Sequence, residues 1–397
     1  MSIWPATHKQ IWLSVASSLI ALPVCSCDDD GGTVAPGVES LCDSLSTDDL
    51  VLKAAEDVDA AADVDTVTGD LIVCDTPIAT LTLPVLTEVK GNVIIFRNVT
   101  LTQIQMPLLE TIGDEEANVR AWRGFLLEGN GELESVELPE LKSVTDNVWV
   151  AGNGALTSLD LPALTHITGA LAFKATAVTS IPGFQNLRVI GNSLAIYENQ
   201  ELTEVTGLDN LITISNDIVL TANPKLTTIT LPLVRSVGRT IEVENVLELA
   251  TLDLSSLDTI GRSLTLRTTA LTDLTGLTSL EVVGDLLEIQ DNEAMTSMDL
   301  PELEIVGSNL TVTANAALTE VSLDALSYVG GSLHLSDNEL LADLLFAMLQ
   351  TLNGNLVVTN NTVLPTCAAE ALRDSIGAEN IDGEISITGN DDTGSCN

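Results

Sequence analysis

Two carboxylates and a guanidinium carry the clearest chemical potential in this chain. Glu242 and Glu288 lie 46 residues apart with Arg267 between them, and 46 is twice a period of 23 that recurs along the sequence. If each period advances one strand across a sheet, the two acids stand about 10 Å apart. That is just beyond the ~6.5–9.5 Å at which an inverting glycosidase holds its acid and its base. With Arg267 on the strand between them, the plainer reading is a neutralised acidic stripe on a surface. His334 and Ser336 share a face at i, i+2, but no buried aspartate is evident to complete a triad. His166 has no second group at metal-ligand spacing, no CxxC or paired-His pattern occurs, and no D-x-D-x-D-G calcium loop is present. Only Thr311 and Thr313 fill both positions of a Thr-x-Thr row, too few for ice binding. The sequence is therefore read as having no catalytic residue, no metal and no cofactor.

What would position these residues is a repeat. Gly238, Gly261, Gly284, Gly307 and Gly330 are spaced by 23 residues, and Gly191 precedes them by two repeats plus one residue. A second series confirms the period: Asn130 and Asn153, then Asn292, Asn315, Asn338 and Asn361, with Asn199 and Asn223 in the same column. The unit reads G-x-x-L-x-I-x-x-N-x-x-L-x-x-L-x-L-P-x-L-x-x-I/V. Its L-x-I portion alternates apolar and polar, as a strand with one buried face does, and is too short for a helix. Gly is expected to allow a corner conformation, and Pro in Leu138-Pro139, Leu161-Pro162, Leu231-Pro232 and Leu300-Pro301 closes a second short strand. The Asn column is expected to turn inward and satisfy backbone groups of neighbouring coils, a structural role.

A coil that cannot bury its apolar face alone must stack on its neighbours. The pattern predicts an all-β, right-handed parallel β-solenoid of about 23-residue coils, about 14 of them from Leu71 to Ile387, with short helical caps. Only 3% of residues are aromatic while 45% are hydrophobic, which suits thin aliphatic layers. The outward positions of the L-x-I sheet run Trp149, Ala172, Ala195, Val219, Glu242, Thr265, Glu288, Thr311, His334 in one row. The second row runs Ala151, Lys174, Tyr197, Thr221, Glu244, Arg267, Gln290. Trp149, Lys174 and Tyr197 are binding candidates there. Between Gly113 and Asn130 the period is 9 residues too long, and the surplus DEEANVRAW must bulge from a corner. It brings Arg120 and Trp122, with Arg123 adjacent, as further binding candidates, since Trp and Arg are typical anchors.

The ends read differently. Ser46–Val64 and Thr366–Ile376 have helical spacing after Ser/Thr caps and are expected to cover the exposed ends of the array. Beside them lie Cys42 and Cys74, and Cys367 and Cys396. Of the three possible pairings, Cys42–Cys74 with Cys367–Cys396 is expected, because the ends of a long rod cannot meet. Ahead of the array, Ile11 to Val24 is an apolar run of the length of a signal peptide's central region. The segments are 1–26 signal peptide, 27–41 flexible tether, 42–68 N-terminal cap, 69–365 solenoid repeats and 366–397 C-terminal cap.

Two resemblances follow from these residues. The run ends in Val24-Cys25-Ser26-Cys27, which resembles the bacterial lipoprotein signal and implies lipidation of Cys27. Asp28 to Asp30, just after it, are similar to an inner-membrane retention signal, while an outer membrane or cell-surface location is favoured. The I-G-x-x-L-x-I-x-x-N-x-x-L pattern from about Gly69 to Asn361 resembles leucine-rich repeats and, more closely, the receptor L domain. That resemblance implies a solenoid that binds a ligand without catalysis. The expected partners are an unidentified protein or glycan outside the cytoplasm and a membrane reached through the lipid anchor, in a bacterial cell envelope. Nucleic acid is excluded by 57 acidic against 15 basic residues, a formal charge of -42 that repels phosphates. A structural or adhesion role and a polysaccharide-acting enzyme remain as alternatives.

Overall fold

A computed structural model describes residue 42 and residues 46–114, 124–181 and 183–396. The signal segment, the tether, Cys27, Arg120, Trp122 and Arg123 lie outside the described residues.

Every coil contributes a strand to a parallel sheet of 15 strands, which runs in order from Leu50–Val51 and Leu71–Cys74 to Leu356–Thr359 and Ile385–Thr388. A second parallel sheet has 13 two-residue strands, from Thr66–Val67 to Thr351–Leu352, so about 13 full turns replace the 14 coils expected. A third side is formed by three separate sheets of three strands each. The L-x-I strands stand where the pattern puts them, and so do the strands closed by Leu138-Pro139, Leu231-Pro232 and Leu300-Pro301, whereas at Leu161-Pro162 only an isolated bridge at Asp160 replaces the expected strand. The two-residue strands of the second sheet had no signal, because one buried residue per strand leaves no alternation to read.

The inward side chains make one continuous aliphatic core. In the turn that begins at Gly284, Leu287, Ile289, Met295, Met298, Leu300, Leu303 and Val306 are all fully buried. Phe173 and Phe184 meet edge to face, with ring centroids 6.0 Å apart.

The Asn column forms hydrogen-bonded ladders. Asn315 is typical: its Oδ1 accepts the backbone N–H of Asn292 at 3.0 Å, and its Nδ2 donates to the carbonyl of Ile289 at 3.0 Å. Asn98 and Asn390 extend the series beyond the eight positions found in the sequence. The column lapses at Val246, and there the strands Ile241–Val246 and Leu264–Thr269 lengthen to six residues, so that Val246 pairs with Thr269 in the sheet. Backbone pairing takes over where the side chain is absent. A second ladder, unnoticed in the sequence, occupies the residue before the last L-x-I strands, whereas Ala170 and Leu286 stand at that position elsewhere. Asn309 Oδ1 accepts the N–H of Ser332, Ser332 Oγ that of Asn355, and Asn355 Oδ1 that of Glu384. Short polar side chains in one column were its only trace.

The glycine column serves a purpose other than the one expected. Gly238, Gly261, Gly284, Gly307 and Gly330 do not have positive φ; a Cβ on Gly284 would collide with the carbonyl oxygen of Gly261, and so on up the stack. They are glycine because adjacent coils touch there. The left-handed corner lies instead just before each Asn rung, at residues such as Glu198 (φ 62°), Ala222 (φ 54°) and Ala314 (φ 56°). Non-glycine residues accept that conformation at about 1–2 kcal/mol each, against the hydrogen bonds that the next residue secures.

The caps are smaller than expected at the first end. The helix α1 spans only Ala55–Ala60, and Leu50–Val51, which the spacing assigned to the helix, pairs as a strand with Leu71–Ile72. A free sheet edge beside it outweighed helical periodicity. At the other end α2 covers Thr366–Ile376. Cys367 and Cys396 form a disulfide with a Cα separation of 6.0 Å, and Cys42 and Cys74 are each part of a disulfide.

Candidate functional site

The outer face of the 15-stranded sheet collects the residues singled out in the sequence. Register places Leu126, Trp149, Ala172, Ala195, Val219, Glu242, Thr265 and Glu288 in one row across successive strands. Glu128, Ala151, Lys174, Tyr197, Thr221, Glu244, Arg267 and Gln290 form the neighbouring row. Trp149, Lys174 and Tyr197 are thus brought onto three adjacent strands, as candidates for one surface.

The two halves of this face differ in kind. From Ile72 to Val219 the outward residues are apolar or small: Ile72, Ile94, Phe96, Leu126, Trp149, Ala172, Ala195 and Val219 are each at most 9% exposed. None of them belongs to the core cluster inside the solenoid. The face expected to be open to water is therefore shielded over its first half. The few polar groups in this dry band are matched. Trp149 Nε1 donates to Glu128 Oε2 at 2.9 Å, and the Glu128 side chain is itself buried. Lys174, buried to 3% exposure, holds its Nζ 5.2 Å from the centroid of the Tyr197 ring and 3.8 Å from Glu198 Oε2. Arg97, exposed beside the band, holds its guanidinium 4.7 Å from the Phe96 ring centroid. Cations over aromatic faces gain most where water is excluded.

From Glu242 onward the face is charged and partly open. Arg267 Nη2 reaches Glu288 Oε2 at 2.6 Å, and Arg239 Nη1 lies 3.7 Å from Asp217 Oδ2. Glu242 stands one strand before Arg267 in sequence order but in the other row. Burial pushes its carboxyl above the usual glutamate range, the Glu244 carboxylate adds to that, and Arg267 opposes it. Glu242 and Glu288 are two strand steps apart in one row, about 10 Å. The guanidinium that the sequence put between them is committed to Glu288 and supports the neutralised stripe. His334 sits between Thr311 and Val357 in the same row, and Ser336 two residues on is buried. His166 is at the start of a second-sheet strand, its side chain exposed. Among the described residues no three His, Cys, Asp or Glu side chains gather as a metal site, and no helix is long and apolar enough to cross a membrane.

Sequence reasoning found the rows but not the division between them. The signal was present, since the outward column reads Ile, Ile, Leu, Trp, Ala, Ala, Val before its first acid, yet an apolar outward residue in a short strand looks like any other strand residue. No curated protein matches the chain. Residues 155–231 match the Receptor L domain family, a family of binding domains. That stretch includes Lys174 and Tyr197 and the repeat motif on which the resemblance was based, so this part of the parallel β-solenoid is similar to the Receptor L domain.

Proposed function

We propose that this chain is an exported, lipid-anchored, non-catalytic repeat protein that binds a protein or glycan at the bacterial cell envelope or surface. The observation that carries the reading is the match of residues 155–231, on the solenoid wall, to a family of binding domains. Leu126, Trp149 and Val219 on the outer side of that wall are at most 9% exposed, so contacts with a ligand begin at the half-buried Tyr197 beside them. Aromatic anchors with a cation beside them, Trp149 and Tyr197 with Lys174, are the residues that contribute most to such contacts. Lys174 and Tyr197, on adjacent strands of the outer face, lie within the stretch that matches that family. Lipidation of Cys27 would hold the wall at a membrane and leave its sides free for ligands; a second acyl chain would make that anchoring stable.

The raised pKa of Glu242 beside the Arg267–Glu288 pair favours one second reading, a polysaccharide-acting enzyme in which Glu242 donates a proton. One experiment separates them. Residues 28–397, made with disulfides intact, are immobilised and challenged with envelope glycans and secreted proteins while both retention and new reducing ends are assayed. Retention without cleavage, weakened by Trp149→Ala or Lys174→Ala, supports the binding reading. New reducing ends abolished by Glu242→Gln establish the enzyme instead, and neither retention nor cleavage leaves a structural or adhesion protein.

A further inference from the structure

One stretch of the surface runs against the charge of the rest. The chain has 57 acidic and 15 basic residues, yet part of the 13-stranded sheet is basic. Its neighbouring strands His166–Ile167, Val189–Ile190, Thr213–Ile214 and Ser236–Val237 each turn the first residue outward and bury the second. The residue before each of these strands, its outward residue and the two residues after it include no acid in any of the four. Arg188 and Arg235 stand before two of them, and Arg239 follows the last. Arg262 lies beside Arg239 on the next coil, where its N–H donates to the Arg239 carbonyl at 2.7 Å. In these positions acids return at Asp146, one coil earlier, and at Asp258, one coil later.

Most of these arginines are not committed to neighbours. Arg239 Nη1 lies 3.7 Å from Asp217 Oδ2, but Arg188, Arg235 and Arg262 are exposed, and none of the three makes an ion pair among the described residues. Val189, Thr213 and Ser236 pair in succession, so Arg188, Ile212 and Arg235 stand in line, the two arginines two strand steps or about 10 Å apart. Ile212 between them is 40% exposed. The strip between this line and the Arg239–Arg262 pair stays low, because Gly191 and Gly238 occupy it where a Cβ would strike the carbonyl oxygen of the preceding coil.

We propose that this face binds a linear acidic glycan, laid along the stack of coils with its carboxylates on the arginines. A guanidinium meets a planar carboxylate through two parallel hydrogen bonds. Arg188 and Arg235 would take carboxylates about one disaccharide apart, with Ile212 against the apolar face of a sugar ring between them, and Arg239 and Arg262 would flank the chain across the glycine strip. The alternation of cation, apolar side chain and cation suits a saccharide better than a free anion, which has no apolar face to cover Ile212. The formal charge of -42 does not forbid this, because at physiological salt charges beyond about 8 Å are largely screened and the ligand meets the local face. A second copy of this chain is the poorer occupant, since the bulk of each copy is acidic. The face belongs to a different sheet from Trp149 and Lys174, so this inference stands or falls apart from the reading above.

The test uses residues 28–397 with disulfides intact and a fluorescein-labelled hexasaccharide of galacturonate, followed by fluorescence anisotropy at about 0.15 M salt. Saturable binding is expected. The same hexasaccharide with its carboxylates reduced to alcohols is expected to bind at least tenfold more weakly. Arg188→Ala combined with Arg235→Ala should weaken binding at least tenfold with thermal melting unchanged, since both side chains are exposed, and Ile212→Ala should give a smaller loss. Arg373→Ala, on α2, should leave binding as it was. No saturable binding overturns the proposal, as does equal binding of the reduced sugar. An equal loss from Arg373→Ala overturns it too, because attraction without a site then explains the signal. An oligothymidylate of equal charge that binds as tightly through the same arginines overturns the assignment of a glycan.

Discussion

Replacing Asn315 by Ala removes one rung from the middle of the longest ladder segment. Asn315 Oδ1 accepts the Asn292 backbone N–H at 3.0 Å, and its Nδ2 donates to the carbonyls of Ile289 and Thr313 at 3.0 and 3.1 Å. Without it the buried Asn292 N–H has no acceptor, which costs about 1–3 kcal/mol, and two further bonds are lost at about 1 kcal/mol each. The expected destabilisation is roughly 3–5 kcal/mol. In a stacked array each turn leans on its neighbours, so the loss should be local to the turns on either side of position 315. Urea unfolding followed by circular dichroism gives the total, and hydrogen exchange by mass spectrometry gives the place. Peptides covering residues 289–315 should exchange at least 100-fold faster, and peptides from the first turns should be unchanged. Asn315→Asp keeps the acceptor but loses both donors and buries a charge, and it should be no milder. A loss under about 1 kcal/mol, with exchange around Asn292 unaltered, would refute the claim that the ladder replaces missing backbone bonds.

Other perturbations separate the remaining forces. Gly284→Ala drives a Cβ into the Gly261 carbonyl and should cost about 1–3 kcal/mol by overpacking; Gly152→Ala, at a left-handed position where Ala175, Ala222 and Ala314 already stand, should cost only about 1 kcal/mol. Chemical unfolding of the two variants compares close approach with conformation directly. Glu242 has its folded pKa raised, so its ionised form opposes folding above that pKa and the penalty vanishes once pH falls below the unfolded value near 4.5. Glu242→Gln should therefore raise the melting temperature at pH 7 and leave it unchanged at pH 4, and equal effects at both would refute the sign. Arg267→Ala strips Glu288 of its 2.6 Å partner beside two further acids and should cost about 1.5–3 kcal/mol. That cost should shrink when Glu288→Gln is combined with it, as a double-mutant cycle would show.

Much of this protein was legible because each coil rewrites the same sentence. The position of Asn315 could be read from Asn292 and Asn338, and the inward Leu310 and Val312 from every coil before them, since stacking makes each residue the neighbour of its own counterpart. The same periodicity was blind to features that do not repeat. Val246 breaks the Asn column, and only the lengthened strands beside it show how its hydrogen bonds are met. Leu50–Val51 looked helical because local spacing cannot register a free sheet edge 21 residues away.

The sequence by itself determined the period, the all-β parallel stacking, the inward core and the Asn rungs, because these depend on contacts between equivalent positions one turn apart. Only the tertiary structure decided that the glycine column exists for close approach rather than for a bent backbone, since a collision with the carbonyl of the preceding coil has no trace in one coil's residues. It alone decided, too, that the outer face divides into a dry apolar half and a charged open half. Burial depends on what else lies against a surface, and a repeating pattern of strands does not contain that information.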